Sequence, residues 1–67
     1  MSAPTARELQ VLRAVCRPGA SVRSAANELG ISPHTARGYL RSLYARLGVS
    51  TAAQAAYALW GEPIRAA

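Results

Sequence analysis

Three residues, Gly30-Ile31-Ser32, separate two helical patterns, and that interval constrains the fold more than any other feature of the chain. Before it, Val22, Ala25, Ala26 and Leu29 recur on one side of a helix spanning 22–29. Ser21 is placed to cap its start and Gly30 to stop it. After it, Ser32 is a natural N-cap and Pro33 suits the first position of a new helix, which Gly48 closes after residue 47. So short a connection cannot carry the chain away, and the two helices must pack on each other. A glycine-bearing turn of this length between two helices is the spacing of a helix-turn-helix.

The rest of the chain is punctuated as clearly. Thr5 with Glu8 forms a capping box. Behind it Leu9, Leu12, Val15 and Cys16 share one face, opposite Arg7, Gln10 and Arg13, until Pro18-Gly19 ends the helix. Thr51 and Gln54 suggest a second capping box at the start of a last helix, which Gly61 and Pro63 terminate. No strand pattern, repeat or linker interrupts the series. The expectation is an all-α domain of four helices, at about 6–16, 22–29, 33–47 and 52–60. It forms a single unit over 1–67, with short flexible ends at 1–4 and 62–67. Met1 fits a complete small protein as well as an excised domain.

A chain of 67 residues buries only about 60% of the surface its unfolded form exposes, so it is marginal on its own. Its one cysteine excludes an intramolecular disulfide and fits a reducing compartment. Cys16 falls on the apolar face of the first helix, where it reads as core rather than redox sensor. There is no apolar run approaching the roughly 18 residues of a membrane helix and no signal-peptide pattern, so the expected location is the cytoplasm.

Eight arginines stand against three glutamates, with no lysine or aspartate, for a net charge of +5. A domain this basic is a candidate for a polyanionic partner. The cations are not evenly spread. At about 100° per residue, Ala36, Leu40, Leu43 and Leu47 of the third helix cluster on one arc, which must face the core. His34, Arg37, Gly38, Arg41 and Ala45 take the opposite arc, with Thr35, Tyr39 and Arg46 along one flank. This helix carries three arginines and no acid, whereas a face kept only for solubility would mix signs. Tyr44 borders the core arc and reads as structural.

Gly38 is the odd residue, since glycine in a helix interior costs roughly 1 kcal/mol relative to alanine. On an exposed arc between cations, a bare backbone suits close approach to base edges in the major groove of DNA, about 12 Å wide. Arg37 and Arg41 can then pair bidentately with guanine, and His34 is a further candidate on the same arc. The flank residues Thr35, Tyr39 and Arg46 are placed for phosphates, which fix orientation without reading sequence.

The last helix is apolar nearly all round, with Ala52, Ala55, Ala56 and Leu59 on one side and Ala53, Tyr57 and Trp60 on another. Four helices cannot bury both sides, which points to a second copy of the chain packed in two-fold fashion. Ala52, Ala53, Ala56, Tyr57 and Trp60 are the expected interface, with Trp60 equally suited to act as a lid on the first helix. Catalysis finds no footing. Glu8, Glu28 and Glu62 are scattered, Glu8 is engaged in capping, and no nucleophile–base pair, metal-ligand cluster or phosphate-cradling loop is present. No cofactor or metal is expected.

LGISPHTARGYLRSLYARLGVSTAAQA, at 29–55, closely resembles the LuxR-type (GerE-like) helix-turn-helix family, and RELQVL at 7–12 matches that family's opening pattern. The resemblance covers about 4–60. It implies a four-helix DNA-binding domain in which the second helix is a scaffold, the third reads DNA and the fourth dimerises. By position it implies base contacts from Arg37, Gly38 and Arg41, and phosphate contacts from Thr35, Tyr39 and Arg46. Tyr39 stands where the family has His, and Arg46 where it has Lys. Ser21 and Arg23 open the scaffold helix, whose N-terminal N–H groups can meet a phosphate. Two departures stand out: Ser24-Ala25 replaces the family's Glu-Ile, and the turn at Arg17-Pro18-Gly19 carries one extra residue.

Together these features lead to the expectation of a transcriptional regulator that binds double-stranded DNA sequence-specifically, as a homodimer at least on DNA. The alternatives are a small adaptor docking on another regulator or on RNA polymerase, and an architectural DNA-binding accessory of the phage recombination kind.

Overall fold

The computed structural model describes residues 3–61. It contains α1 (Ala6–Val15), α2 (Val22–Leu29), α3 (Pro33–Leu47) and α4 (Ala52–Trp60), with no strand among the described residues. The expected boundaries hold to within a residue; α1 stops at Val15, and Cys16 is its cap. Apart from Ala3 and Pro4, the short ends expected at 1–4 and 62–67 lie outside the described residues.

Each helix begins on a side-chain cap. At α1, Thr5 Oγ1 accepts from the Glu8 N–H at 3.1 Å while Glu8 Oε1 accepts from the Thr5 N–H at 2.8 Å. At α2, Ser21 and Ser24 make the same reciprocal pair at 3.1 and 2.8 Å. Ser24 therefore takes over, with a shorter side chain, the task a glutamate performs in an ordinary capping box. At α3, Ser32 accepts from the Thr35 N–H at 3.0 Å behind Pro33. At α4 the expected box is only half formed. Thr51 accepts from the Gln54 N–H, but the Gln54 carbonyl oxygen takes the Ser50 N–H at 2.8 Å instead of that of Thr51.

The turn between α2 and α3 is fixed by its glycine. Gly30 sits at φ 70°, the left-handed region. There its N–H reaches Asn27 O at 3.2 Å and the Ile31 N–H reaches Ala26 O at 3.0 Å. This double closure of a helix C-terminus favours a residue without Cβ. Ile31 then packs against the core just before α3 begins.

The core is built from Val11, Leu12, Ala26, Ala36, Leu40, Leu43 and Ala55, drawn from all four helices. Val11, Leu12 and Leu43 are wholly buried, and each such side chain contributes about 1.5–3 kcal/mol. The alanines let helix backbones come close. Ala25 of α2 is itself buried.

The face that α1 turns inward differs from the expected one. It centres on Glu8, Val11, Leu12 and Val15 rather than on Leu9, Leu12, Val15 and Cys16. Leu9 is only half-buried. The spacing i, i+3, i+4, i+7 was present in the sequence, but a glutamate occupies its first position. Glu8 is 2% exposed and is the one buried charged residue among the described residues.

Candidate nucleic-acid interface

The outer arc of α3 is as the periodicity predicts. His34, Thr35, Arg37, Gly38, Arg41 and Ala45 are all exposed, with Ser42 among them, while Ala36, Leu40 and Leu43 are buried. Arg37 and Arg41 make no ion pair or side-chain hydrogen bond with any described residue. The only ion pairs among the described residues are Arg17–Glu28 and Arg46–Glu8. Two long cations thus stand free on one side of the helix crest.

Gly38 has no internal reason to be glycine. Its backbone is ordinary α-helix, without the positive φ of the other four glycines. A Cβ built there would meet nothing within 4 Å. The helix forgoes about 1 kcal/mol of propensity without gaining a closer internal contact.

Beside this crest runs an open groove lined by Val22, Arg37, Leu40, Arg41, Tyr44, Ala45 and Val49. Val22 is the first residue of α2, so the start of α2 abuts the side of α3 that carries the two free arginines. Ser21 and Arg23 flank Val22 and are exposed. Thr35 is exposed too, and its hydroxyl accepts from that of Ser32 at 2.9 Å, which leaves its own proton free to donate. Tyr39 is half-buried and packs against the core. The groove itself, with Tyr44 and Val49 in its wall, was not foreseen. Its lining comes from three segments, and the periodicity of one helix gives no sign that Val22 and Val49 close on the side of α3.

Arg46 departs from its expected place on phosphate. Its guanidinium is turned inward, with Nη1 donating to Glu8 Oε1, and its side chain is only 26% exposed. A carboxylate as buried as that of Glu8 is costly unless paired, and Arg46 is the cation within reach. Burial pushes the Glu8 carboxyl up. The Thr5 N–H, the Ser42 hydroxyl and Arg46 together outweigh it and hold the group below its ordinary value. Arg7, expected on the solvent side of α1, is also engaged. It donates to Gln10 Oε1 at 2.8 Å and to the Leu29 carbonyl at 3.2 Å.

On α4 the expected interface divides. Ala56 is 3% exposed and belongs to the interior, and Ala52 packs half-buried against the core. Both lie on the side that meets the other helices, so Ala56 is not open to a second chain. The outward strip is Ala53, Tyr57 and Trp60. Tyr57 is 63% exposed and, with Val49, Ala53, Gln54 and Ala58, lines a shallow apolar groove. The Arg13 guanidinium lies 5.3 Å from the centroid of the Trp60 ring, within cation–π range, so Trp60 is partly covered by α1. Cys16 is half-buried beside the core, and burial raises its thiol pKa.

Among the described residues no group of three or more His, Cys, Asp or Glu stands together. No helix among them is long and apolar enough to cross a membrane. No curated protein and no solved structure matches the chain. A family model does: GerE, described as bacterial regulatory proteins of the luxR family, matches residues 4–59. That span runs from just before the cap of α1 into the last turn of α4, and it contains the whole helix-turn-helix with its free arginines; the chain therefore belongs to the luxR family of bacterial regulatory proteins, a family of DNA-binding regulatory domains.

Proposed function

We propose that this domain is a sequence-specific transcription regulator that reads the major groove with α3. Arg37 and Arg41 supply the base contacts across the bare backbone at Gly38, and His34 lies on the same arc. Thr35, Tyr39 and the α2 start, with Ser21 and Arg23, meet phosphates. The observation that carries this is the pair of unpaired arginines beside a glycine that nothing inside the molecule requires. Each bidentate arginine–guanine pair contributes about 1–3 kcal/mol of discrimination against the wrong base. The exposed strip Ala53, Tyr57 and Trp60 is the surface through which two copies associate on DNA, presenting two α3 helices to adjacent half-sites.

Selecting bound duplexes from a random pool tests the proposal directly, and an enriched, roughly palindromic sequence is the expected outcome. On that duplex Arg41→Ala should weaken binding by about 1–3 kcal/mol and relax preference at one base pair. Equal loss on selected and random duplexes would refute base reading by Arg41. The exposed Tyr57 groove favours a second use, docking on another protein with DNA secondary. Salt separates the two, since binding through several phosphates falls steeply with ionic strength and docking through Tyr57 does not.

A further inference from the structure

Two adjacent residues at the start of α1 reach the two helices of the helix-turn-helix at separate points. Arg7 Nη2 donates to the carbonyl of Leu29, the last residue of α2. The last turn of α2 has no basic residue of its own, so Arg7 brings a cation from another helix to the negative end of its dipole. Glu8 accepts from Arg46, in the last turn of α3 and 38 residues away in sequence. The same carboxylate also takes the Thr5 N–H and bears on Ser42 of α3. One contact thus lies at the turn from which α3 departs, and the other near its far end. Arg37 and Arg41 lie between them.

We infer that Arg7 and Glu8 are positioning residues for base reading: together they fix the direction and rotation of α3 relative to α2. One turn of α1 thus holds the last residue of α2 and the far end of α3, a helix of 15 residues roughly 22 Å long at about 1.5 Å per residue, and so ties the two helices to a common frame. Apolar packing cannot do this alone, because it is non-directional. The core under α3 joins its Ala36, Leu40 and Leu43 to Val11, Leu12, Ala26 and Ala55 of the other helices. These contacts set how closely the helices approach, but apolar burial carries no preferred bond direction. A charged hydrogen bond from a planar guanidinium tolerates far less displacement. Recognition groups must be held within about 0.5 Å and 10–20° of their productive geometry, whereas phosphate attraction requires no such precision. Loss of the Glu8–Arg46 tie should therefore reduce discrimination between sequences more than it reduces attraction to DNA as such. This role presupposes that α3 reads bases as proposed.

The test compares the affinity of the 67-residue chain for two probes, the duplex it selects from a random pool and a random-sequence duplex of equal length. Glu8→Gln should lower the selected-to-random affinity ratio at least fivefold. Because that variant strands Arg46 and can lose stability, the double change Glu8→Met with Arg46→Met accompanies it. Replacing a buried ion pair by packed apolar groups is often neutral or stabilising. The double change also removes the acceptor of the Thr5 N–H, so the melting temperature should fall by no more than the roughly 4–8 °C that a lost cap corresponds to in a domain of this size, while helicity is kept and the ratio still falls at least fivefold. Arg46→Lys, which keeps a cation on Glu8, should recover most of the ratio. A stably folded double variant with an undiminished ratio would overturn the inference and leave the pair a role in folding only. Recovery by Lys no better than by Met would overturn it too. An unaltered chain that itself prefers no sequence would instead refute base reading by α3, a separate and distinguishable failure.

Discussion

Restoring a side chain at Gly38 should move stability and DNA binding in opposite directions. Residue 38 has helical backbone geometry, and a Cβ there meets nothing within 4 Å. Gly38→Ala therefore introduces no clash and no strained φ. It removes the propensity deficit of glycine, about 1 kcal/mol in a helix interior. In a domain of 60–100 residues 1 kcal/mol corresponds to a rise in Tm of about 4–8 °C. Gly38→Leu should gain nearly as much, since leucine is close to alanine in helix propensity. On DNA the sign reverses. A leucine on the crest between Arg37 and Arg41 holds the helix away from the base edges. Losing even one bidentate contact of about 1–3 kcal/mol then weakens binding to the selected duplex by roughly fivefold to 150-fold. Circular-dichroism melts and fluorescence-anisotropy titrations on the two purified variants measure both arms. Unchanged affinity for Gly38→Leu would refute close approach at this position. A fall in Tm for Gly38→Ala would show that the glycine answers an internal demand.

Acid should destabilise the domain largely through Glu8. Its carboxyl is held below the ordinary value of 4.5, so its stabilising contribution is complete above that pH and is lost as pH falls through the lowered folded pKa. Thermal melts from pH 7 to pH 3 should decline below about pH 4.5, and Glu8→Gln should flatten that limb. An equally steep acid limb in the variant would point away from Glu8, although Glu28 offers little in its place, being in an exposed pair with Arg17. At α4, Tyr57→Ser should leave the monomer's Tm within a few degrees, because the side chain is 63% exposed. It should weaken cooperative binding to a palindromic duplex, and undiminished cooperativity would remove Tyr57 from the interface.

Most of the fold could be read because its signals are local. Ser21, Ser32, Gly30 and Gly48 act on backbone within a few residues of themselves, and the helix boundaries follow from them. The exposed arc of α3 was legible for a related reason, since helical periodicity needs no knowledge of the neighbours to separate Arg37, Gly38 and Arg41 from Leu40 and Leu43. What escaped is what depends on partners distant in sequence. The rule that charges lie outside moved the inner face of α1 by one position, from Glu8 and Val11 to Leu9. Only Arg46, 38 residues on, makes a buried glutamate affordable, and no local pattern announces that pairing. The same cause removed Arg46 from the phosphate flank. On a helical wheel it lies beside Thr35 and Tyr39, yet a long side chain can turn back across its own helix toward a buried charge. Ala56 was misassigned to the interface for a milder reason. Alanine is small enough to suit either side of α4, so only the positions of α1 and α3 decide which side is inner. The errors therefore fall on residues whose roles are set by pairing between helices, whereas the exposed arc of α3, set by periodicity within one helix, carries His34, Arg37, Gly38, Arg41 and Ala45 as expected.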